Sequence, residues 1–225
     1  MGKPSLLFFP IIRLMARPVS RVLLKTSFSA NQVTAASLGC GLISSAFMLP
    51  GKWEMTVLGS LFLIACYVFD NCDGEIARAK NQCSEFGRHF DDFSDWAVHT
   101  SFFLALGIGT ARAEGNDVWM WLGWIAAGGA VLNSIVGKIV ERREKRRLGD
   151  KARTGHESPE EAKRPDKWHE WAVFIFRELS RANFCFLVFI LALFNFTWLL
   201  LPAGAIGSQV YWATKFVRGA DQYHL

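Results

Sequence analysis

From Asp70 to Asp95 the chain reads D-N-C-D-G-E-I-A-R-A-K-N-Q-C-S-E-F-G-R-H-F-D-D-F-S-D. An apolar run from Val57 to Phe69 leads into this stretch, and another from Ala97 to Ile108 leads out. Four carboxylates (Asp70, Asp73, Asp91, Asp95) therefore stand at the ends of two hydrophobic segments, where charge is costly and marks function. With both flanks helical, Asp70 and Asp73 are i and i+3 and share a face, and Asp91 and Asp95 are i and i+4 and share another. A short connection at residues 80–84 folds the helices antiparallel and brings the two pairs together. Four carboxylates that close repel one another unless cations sit among them. Hard divalent ions meet that need, and Mg2+ is typically held by a few carboxylates plus substrate phosphates. Two such ions bridge a diphosphate and neutralise charge as one P–O bond breaks. Gly74 and Gly87 adjoin the carboxylates, where a missing Cβ admits a ligand or a neighbouring helix. Ala77 is small for the same reason, and Arg78 is suited to pair with phosphate or carboxylate.

The rest of the composition fits a bilayer. Of the 225 residues 51% are apolar, with 19 Phe and 9 Trp, which leaves too little polar surface for a soluble protein and points to a polytopic membrane protein. The expected fold is all-α: six transmembrane helices near 31–50, 55–79, 85–109, 117–140, 171–194 and 197–218, each about the 20 residues a bilayer core requires. Residues 1–30 mix Leu, Phe and Ile with Arg13, Arg17, Arg21 and Lys25, interrupted by Pro10 and Pro18. They read as an amphipathic interfacial helix lying on the membrane surface. The last two spans share a nearly continuous apolar run, with Asn195, Thr197 and Pro202 marking the turn; one long span is the alternative. Residues 141–170 form a charged loop, and no linker or repeat divides the chain, so 1–225 is expected to be a single membrane domain.

Charge sets the expected orientation. With six spans, only Lys52 and Arg112 of the 25 Lys and Arg fall on one side. By the positive-inside rule the other side, which carries the N-terminal segment, the 80–84 and 141–170 loops and the C-terminus, is cytoplasmic. The protein is thus expected in the cell inner membrane or its equivalent, with both carboxylate pairs facing the cytoplasm. The net charge of +5 is accounted for by this asymmetry and calls for no nucleic acid. Five cysteines without C-x-x-C spacing read as reduced thiols rather than a disulfide framework or zinc site. Cys72 is expected to pack, and His99 to be a packed, hydrogen-bonded residue rather than a ligand.

At the carboxylates the chain resembles the CDP-alcohol phosphotransferases. Their signature, D-x2-D-G-x2-A-R-x8-G-x3-D-x3-D, is filled at every fixed position by Asp70, Asp73, Gly74, Ala77, Arg78, Gly87, Asp91 and Asp95. Asn31-Gln32-Val33-Thr34 is similar to the N-x-[LV]-T that opens the family's first membrane helix. The resemblance implies a six-helix homodimeric membrane enzyme of phospholipid synthesis that joins a CDP-alcohol to a second alcohol and releases CMP. It implies that Asp70, Asp73, Asp91 and Asp95 hold two divalent ions, Mg2+ or Mn2+, with Asp95 also the general base. Asn31, Thr34, Gly74, Ala77, Arg78 and Gly87, with Asp70 and Asp73, fall where the family holds the CDP moiety. The donor is commonly CDP-diacylglycerol; the residues D-N-C-D-G-E-I-A-R also resemble members with inositol-type substrates, which leaves a CDP-inositol-type donor with a polyol-phosphate or lipid acceptor open.

Four cations supply a candidate acceptor site. Arg177 and Arg181 are i and i+4 near the cytoplasmic end of the fifth span, and Lys215 and Arg218 end the sixth at similar depth. Together they suit a phosphorylated polyol such as inositol phosphate or glycerol phosphate, while snorkelling to lipid phosphates is the plain alternative. Two rival functions stay open. An intramembrane prenyltransferase would place its aspartates on widely separated helices, and a cation transporter would place them near the bilayer midplane.

Overall fold

The computed structural model describes residues 11–148 and 184–221, and side chains within 11–139 and 184–210. Arg177 and Arg181 lie outside the described residues, as does most of the 141–170 loop. The described residues form α1 (Ile11–Leu24), α2 (Ala30–Met48), α3 (Trp53–Ala79), α4 (Glu85–Glu114), α5 (Val118–Leu148), α6 (Phe184–Leu193) and α7 (Leu200–Asp221), with a single 3-10 turn at Thr197–Leu199. Among them there is no strand.

Local chemistry sets the helix ends. Ser29 and Gln32 form a capping box at the start of α2: the Gln32 amide donates to Ser29 Oγ, and the Ser29 amide donates to Gln32 Oε1. The two orphan donors are thereby satisfied reciprocally. Ser84 caps α4, its Oγ accepting from the Gly87 amide at 3.0 Å. Gly115 ends α4 with a left-handed φ of 63°, a conformation open to glycine at no steric cost. Between α6 and α7, Asn195 adopts φ 59°, so the apolar run is two helices rather than one. The polar residues Asn195 and Thr197 mark that break correctly.

Helix α1 buries Ile12, Ala16 and Ser20, one residue per turn, while Ile11, Leu14, Met15 and Val22 remain exposed. It packs along α3, with Cys72 Sγ donating to the Ala16 carbonyl at 3.5 Å. Contrary to the expected interruption, the helix runs through Pro18. The hydrogen bond that Pro18 cannot make would go to Leu14, on the exposed side, where solvent or headgroups can satisfy the carbonyl.

Helix α2 is the wedge of the bundle. It packs against both α3 and α4, whereas α3 and α4 make little direct contact. Helix α6 packs on α3, and its Phe184 reaches Phe102 and Phe103 of α4; α5 packs on α4 and α7 on α5. Polar ties lock these pairings: Ser37 Oγ donates to the Cys66 carbonyl at 2.9 Å, Ser45 and Ser101 hydroxyls meet at 3.0 Å, and Trp53 Nε1 donates to the Ala192 carbonyl at 2.9 Å. Such bonds and small residues are what hold helices together where lipid removes the hydrophobic drive. Helix α3 and the Val118–Ile139 part of α5 are long and apolar enough to cross a membrane. Helix α2 is diluted by Ser37, Ser44 and Ser45, and α4 by its aspartates, which lowers their hydropathy without changing their place in the bundle.

Candidate active site

The two motif halves occupy the last third of α3 and the first third of α4, joined by residues 80–84 as the spacing requires. The carboxylates of Asp70, Asp73 and Asp91 converge, one oxygen from each lying within 4.8 Å of the other two. Asp73 is the most enclosed, at 6% exposure, and accepts a 2.6 Å hydrogen bond from Thr34 Oγ1 across to α2. A short donor to a carboxylate is a strong, charge-assisted bond, and here it fixes Asp73 in orientation. Three convergent carboxylates are an all-oxygen donor set suited to a hard divalent ion such as Mg2+ or Mn2+. Asp95 stands outside that triplet, and it lines a cavity together with Asp70.

The N-terminus of α2 closes the site from the side. A Cβ on Gly87 would stand 3.1 Å from Asn31 Oδ1 and 3.2 Å from Ser84 Oγ, so glycine lets the starts of α2 and α4 meet. A Cβ on Gly74 would stand 3.4 Å from Arg78 Nη1; the exposed guanidinium of Arg78 thus folds back over the glycine. Ala77 is half-buried against the core. Lys80 Nζ donates to the Thr26 and Phe28 carbonyls at 2.8 and 2.7 Å, and Gln82 Oε1 accepts from the Ala30 amide at 2.9 Å. These bonds pin the end of α3 to the α1–α2 turn. All the candidate residues up to Asp95 are therefore gathered at one end of the bundle. Lys215 and Arg218 fall on α7, beyond the side chains described.

Because α2 holds α3 and α4 apart, a cavity of about 1150 Å3 opens between them and runs along α5, α6 and α7. Its polar end carries Asp70 and Asp95, with Asn133 and Lys138 from α5, and its walls become apolar at Phe103, Leu187 and Leu191. Sequence spacing gave no sign of Asn133, which belongs to no motif. His99 packs between Tyr67 and Phe184 as expected, but it lines the cavity and lacks the expected hydrogen bond among the described residues. The i, i+4 step from Asp95 to His99 was the available signal. Cys72 is fully buried, and all five cysteines are free thiols, as their spacing predicts.

The family model for CDP-alcohol phosphatidyltransferase matches residues 27–210, most of the chain. The chain belongs to the CDP-alcohol phosphatidyltransferase family. A bifunctional IPC transferase and DIPP synthase from Rubrobacter xylanophilus is 33% identical over 114 residues, 50% of this chain and 24% of that protein. A protein of the same description from Thermococcus kodakarensis is 29% identical over 112 residues, again 50% of this chain and 24% of its own length. The matched stretch thus spans about a quarter of either relative.

Proposed function

We propose that this chain is a phosphotransferase that moves a phosphatidyl group from CDP-diacylglycerol to a hydroxyl acceptor and releases CMP. The observation that carries the donor is the cavity: its polar end is the carboxylate cluster and its far walls are apolar, as a substrate with a diphosphate head and acyl tails demands. Its volume exceeds what a nucleotide-sized ligand alone needs. Asp70, Asp73 and Asp91 would hold the divalent ions, joined by Asp95, and bound there such ions supply charge neutralisation to the diphosphate. Asn31, Thr34, Gly74, Ala77, Arg78 and Gly87 frame the place for the CDP moiety. Asp95, at the cavity side of the cluster, accepts the proton of the acceptor hydroxyl. The hydroxyl oxygen attacks the phosphorus that carries the alcohol, and the bond to CMP breaks. A phosphorylated polyol acceptor, inositol phosphate or glycerol phosphate, would meet Arg177, Arg181, Lys215 and Arg218.

The same reading makes the chain one membrane domain of six spans behind the interfacial α1, working as a homodimer with the carboxylates facing the cytoplasm. Lys52 and Arg112, the two basic residues set apart by charge counting, both sit at the end of the bundle away from the aspartates, which supports it. There Arg112 Nη1 donates to the Leu49 carbonyl at 2.8 Å. A second donor is favoured by a different observation. Both relatives are named as DIPP synthases, and the motif's variable residues resemble inositol-type members, which argues for a CDP-inositol-type donor with a polyol-phosphate or lipid acceptor. The experiment is CMP release by the purified protein with CDP-diacylglycerol or CDP-inositol, each against a panel of acceptors, with and without EDTA. CMP from the lipid donor, abolished by EDTA, is expected. CMP from CDP-inositol alone selects the second donor, and full turnover in EDTA overturns the metal-dependent mechanism.

A further inference from the structure

One helical turn below the carboxylates lies a layer of polar groups that the transfer chemistry leaves unused. Tyr67 precedes Asp70 by three residues on α3, and His99 follows Asp95 by four on α4, so each sits under its aspartate on the same helix face. Their rings meet edge to face at 6.3 Å, and Phe184 of α6 backs the imidazole at 6.0 Å. Both side chains line the cavity. Neither the Tyr67 hydroxyl nor the His99 ring has a hydrogen-bond partner among the described residues. Beyond them the lining turns apolar, at Phe103, Leu187 and Leu191. Both residues are only partly buried and open onto the cavity, so their polar atoms are available to whatever fills it.

We propose that Tyr67 and His99 are specificity-determining residues that donate hydrogen bonds to the ester carbonyls of a diacylglycerol-linked donor. The inference rests on the reading of the site as a CDP-alcohol transferase and adds the part of the donor that is recognised. The depths agree. Four residues of helix advance about 6 Å, which sets the donors about as far below the reacting phosphorus as a glycerol ester lies from its phosphate. Below the carbonyls the acyl chains require apolar walls, and that is where the walls become apolar. A site built to hydrogen-bond a substrate group discriminates against an analogue that lacks it, because its own polar atoms are then left unpaired.

The test compares ester-linked CDP-diacylglycerol with the ether-linked CDP-dialkylglycerol of equal chain length, which keeps every feature except the carbonyls. The parent is expected to prefer the ester in kcat/KM by about tenfold, the scale of one or two buried bonds lost. Tyr67→Phe, which preserves ring and packing, and His99→Leu are each expected to bring that ratio towards one. A parent that uses both donors equally overturns the proposal, as does an unchanged ratio in both variants. A His99→Leu rate that falls equally for both donors, with Tyr67→Phe silent, assigns His99 to the support of Asp95 instead and also overturns it. CMP release from CDP-inositol with none from either lipid overturns it while leaving the transferase reading intact; no CMP from any donor is the failure of that reading itself.

Discussion

Thr34 and Asp73 show how single residues divide the work. Asp73 is almost enclosed, and an enclosed carboxylate needs donors or cations to be tolerated. The Thr34 hydroxyl, 2.6 Å away on another helix, is such a donor, and it leaves the outward-facing lone pairs free for an ion. Replacing Thr34 by Val keeps the shape and deletes the bond. The Mg2+ concentration for half-maximal CMP release is expected to rise about tenfold, the usual scale for losing an orienting partner of a metal ligand; an unshifted Mg2+ titration would leave the bond without a role in metal binding. Asp95 is different. It lies outside the triplet whose oxygens converge, so Asp95→Asn is expected to retain binding of the CDP donor while losing turnover by a factor of roughly 10² or more. Loss of binding together with turnover would make Asp95 chiefly a metal ligand. At this scale the motif was legible because spacing alone places i, i+3 and i, i+4 carboxylates on shared faces. His99 and Asn133 were not, since a polar residue in an apolar helix looks the same whether it packs or faces a cavity.

Between helices the deciding contacts are absences of atoms. A Cβ on Gly107 of α4 would stand 2.9 Å from Gly123 Cα, and one on Gly123 of α5 would stand 2.7 Å from the Phe103 carbonyl, so these backbones touch. On α2, a Cβ at Gly41 would collide with the Val98 methyls of α4. Small residues in apolar helices are candidate packing positions, and Gly39, Gly41, Ala126, Gly128, Gly129 and Ala130 are of this kind. Gly41, Ala126 and Gly129 do sit at close approaches, but Gly39 and Gly128 face open space. Periodicity cannot tell these apart, because which face of a nearly uniform apolar helix meets protein depends on its partners. A pair of substitutions separates them. Gly107→Leu is expected to lower stability by about 1–3 kcal/mol through overpacking, read as a fall in Tm in detergent. Gly128→Leu, with nothing within 4 Å of its Cβ, is expected to leave Tm nearly unchanged. Equal losses would mean that helix propensity or detergent contact, rather than the α4–α5 seam, sets the response. Among the described residues the break between α6 and α7 was readable, because Asn195 and Thr197 interrupt the apolar run there. The separation of α3 from α4 by α2 was not, and it is the separation that makes the cavity.

Over the whole molecule, charge asymmetry and site position agree on one orientation. The carboxylates, Lys80 and the α3–α4 connection lie at one end of the bundle, and Lys52 and Arg112 at the other. On the proposed reading the CDP headgroup of the donor is presented at the cytoplasmic face, and the carboxylate end faces it. The chain carries its own reporter. Cys83 is exposed in the α3–α4 connection, whereas Cys66, Cys72 and Cys185 are buried and Cys40 is half-buried on α2. A membrane-impermeant maleimide should therefore label the protein through Cys83 in inside-out vesicles of the host inner membrane and leave it unlabelled in right-side-out ones. Lys52→Cys in a Cys83→Ser background should reverse the pattern, since it moves the thiol to the opposite end. Added CDP donor with Mg2+ should slow labelling of Cys83, which sits between the two motif halves, and leave labelling at position 52 unaffected. Labelling of Cys83 from the outer face would invert the orientation and place the carboxylates away from the nucleotide pool. Labelling of both positions from one side would break the topology itself, because α3 would then fail to cross the membrane.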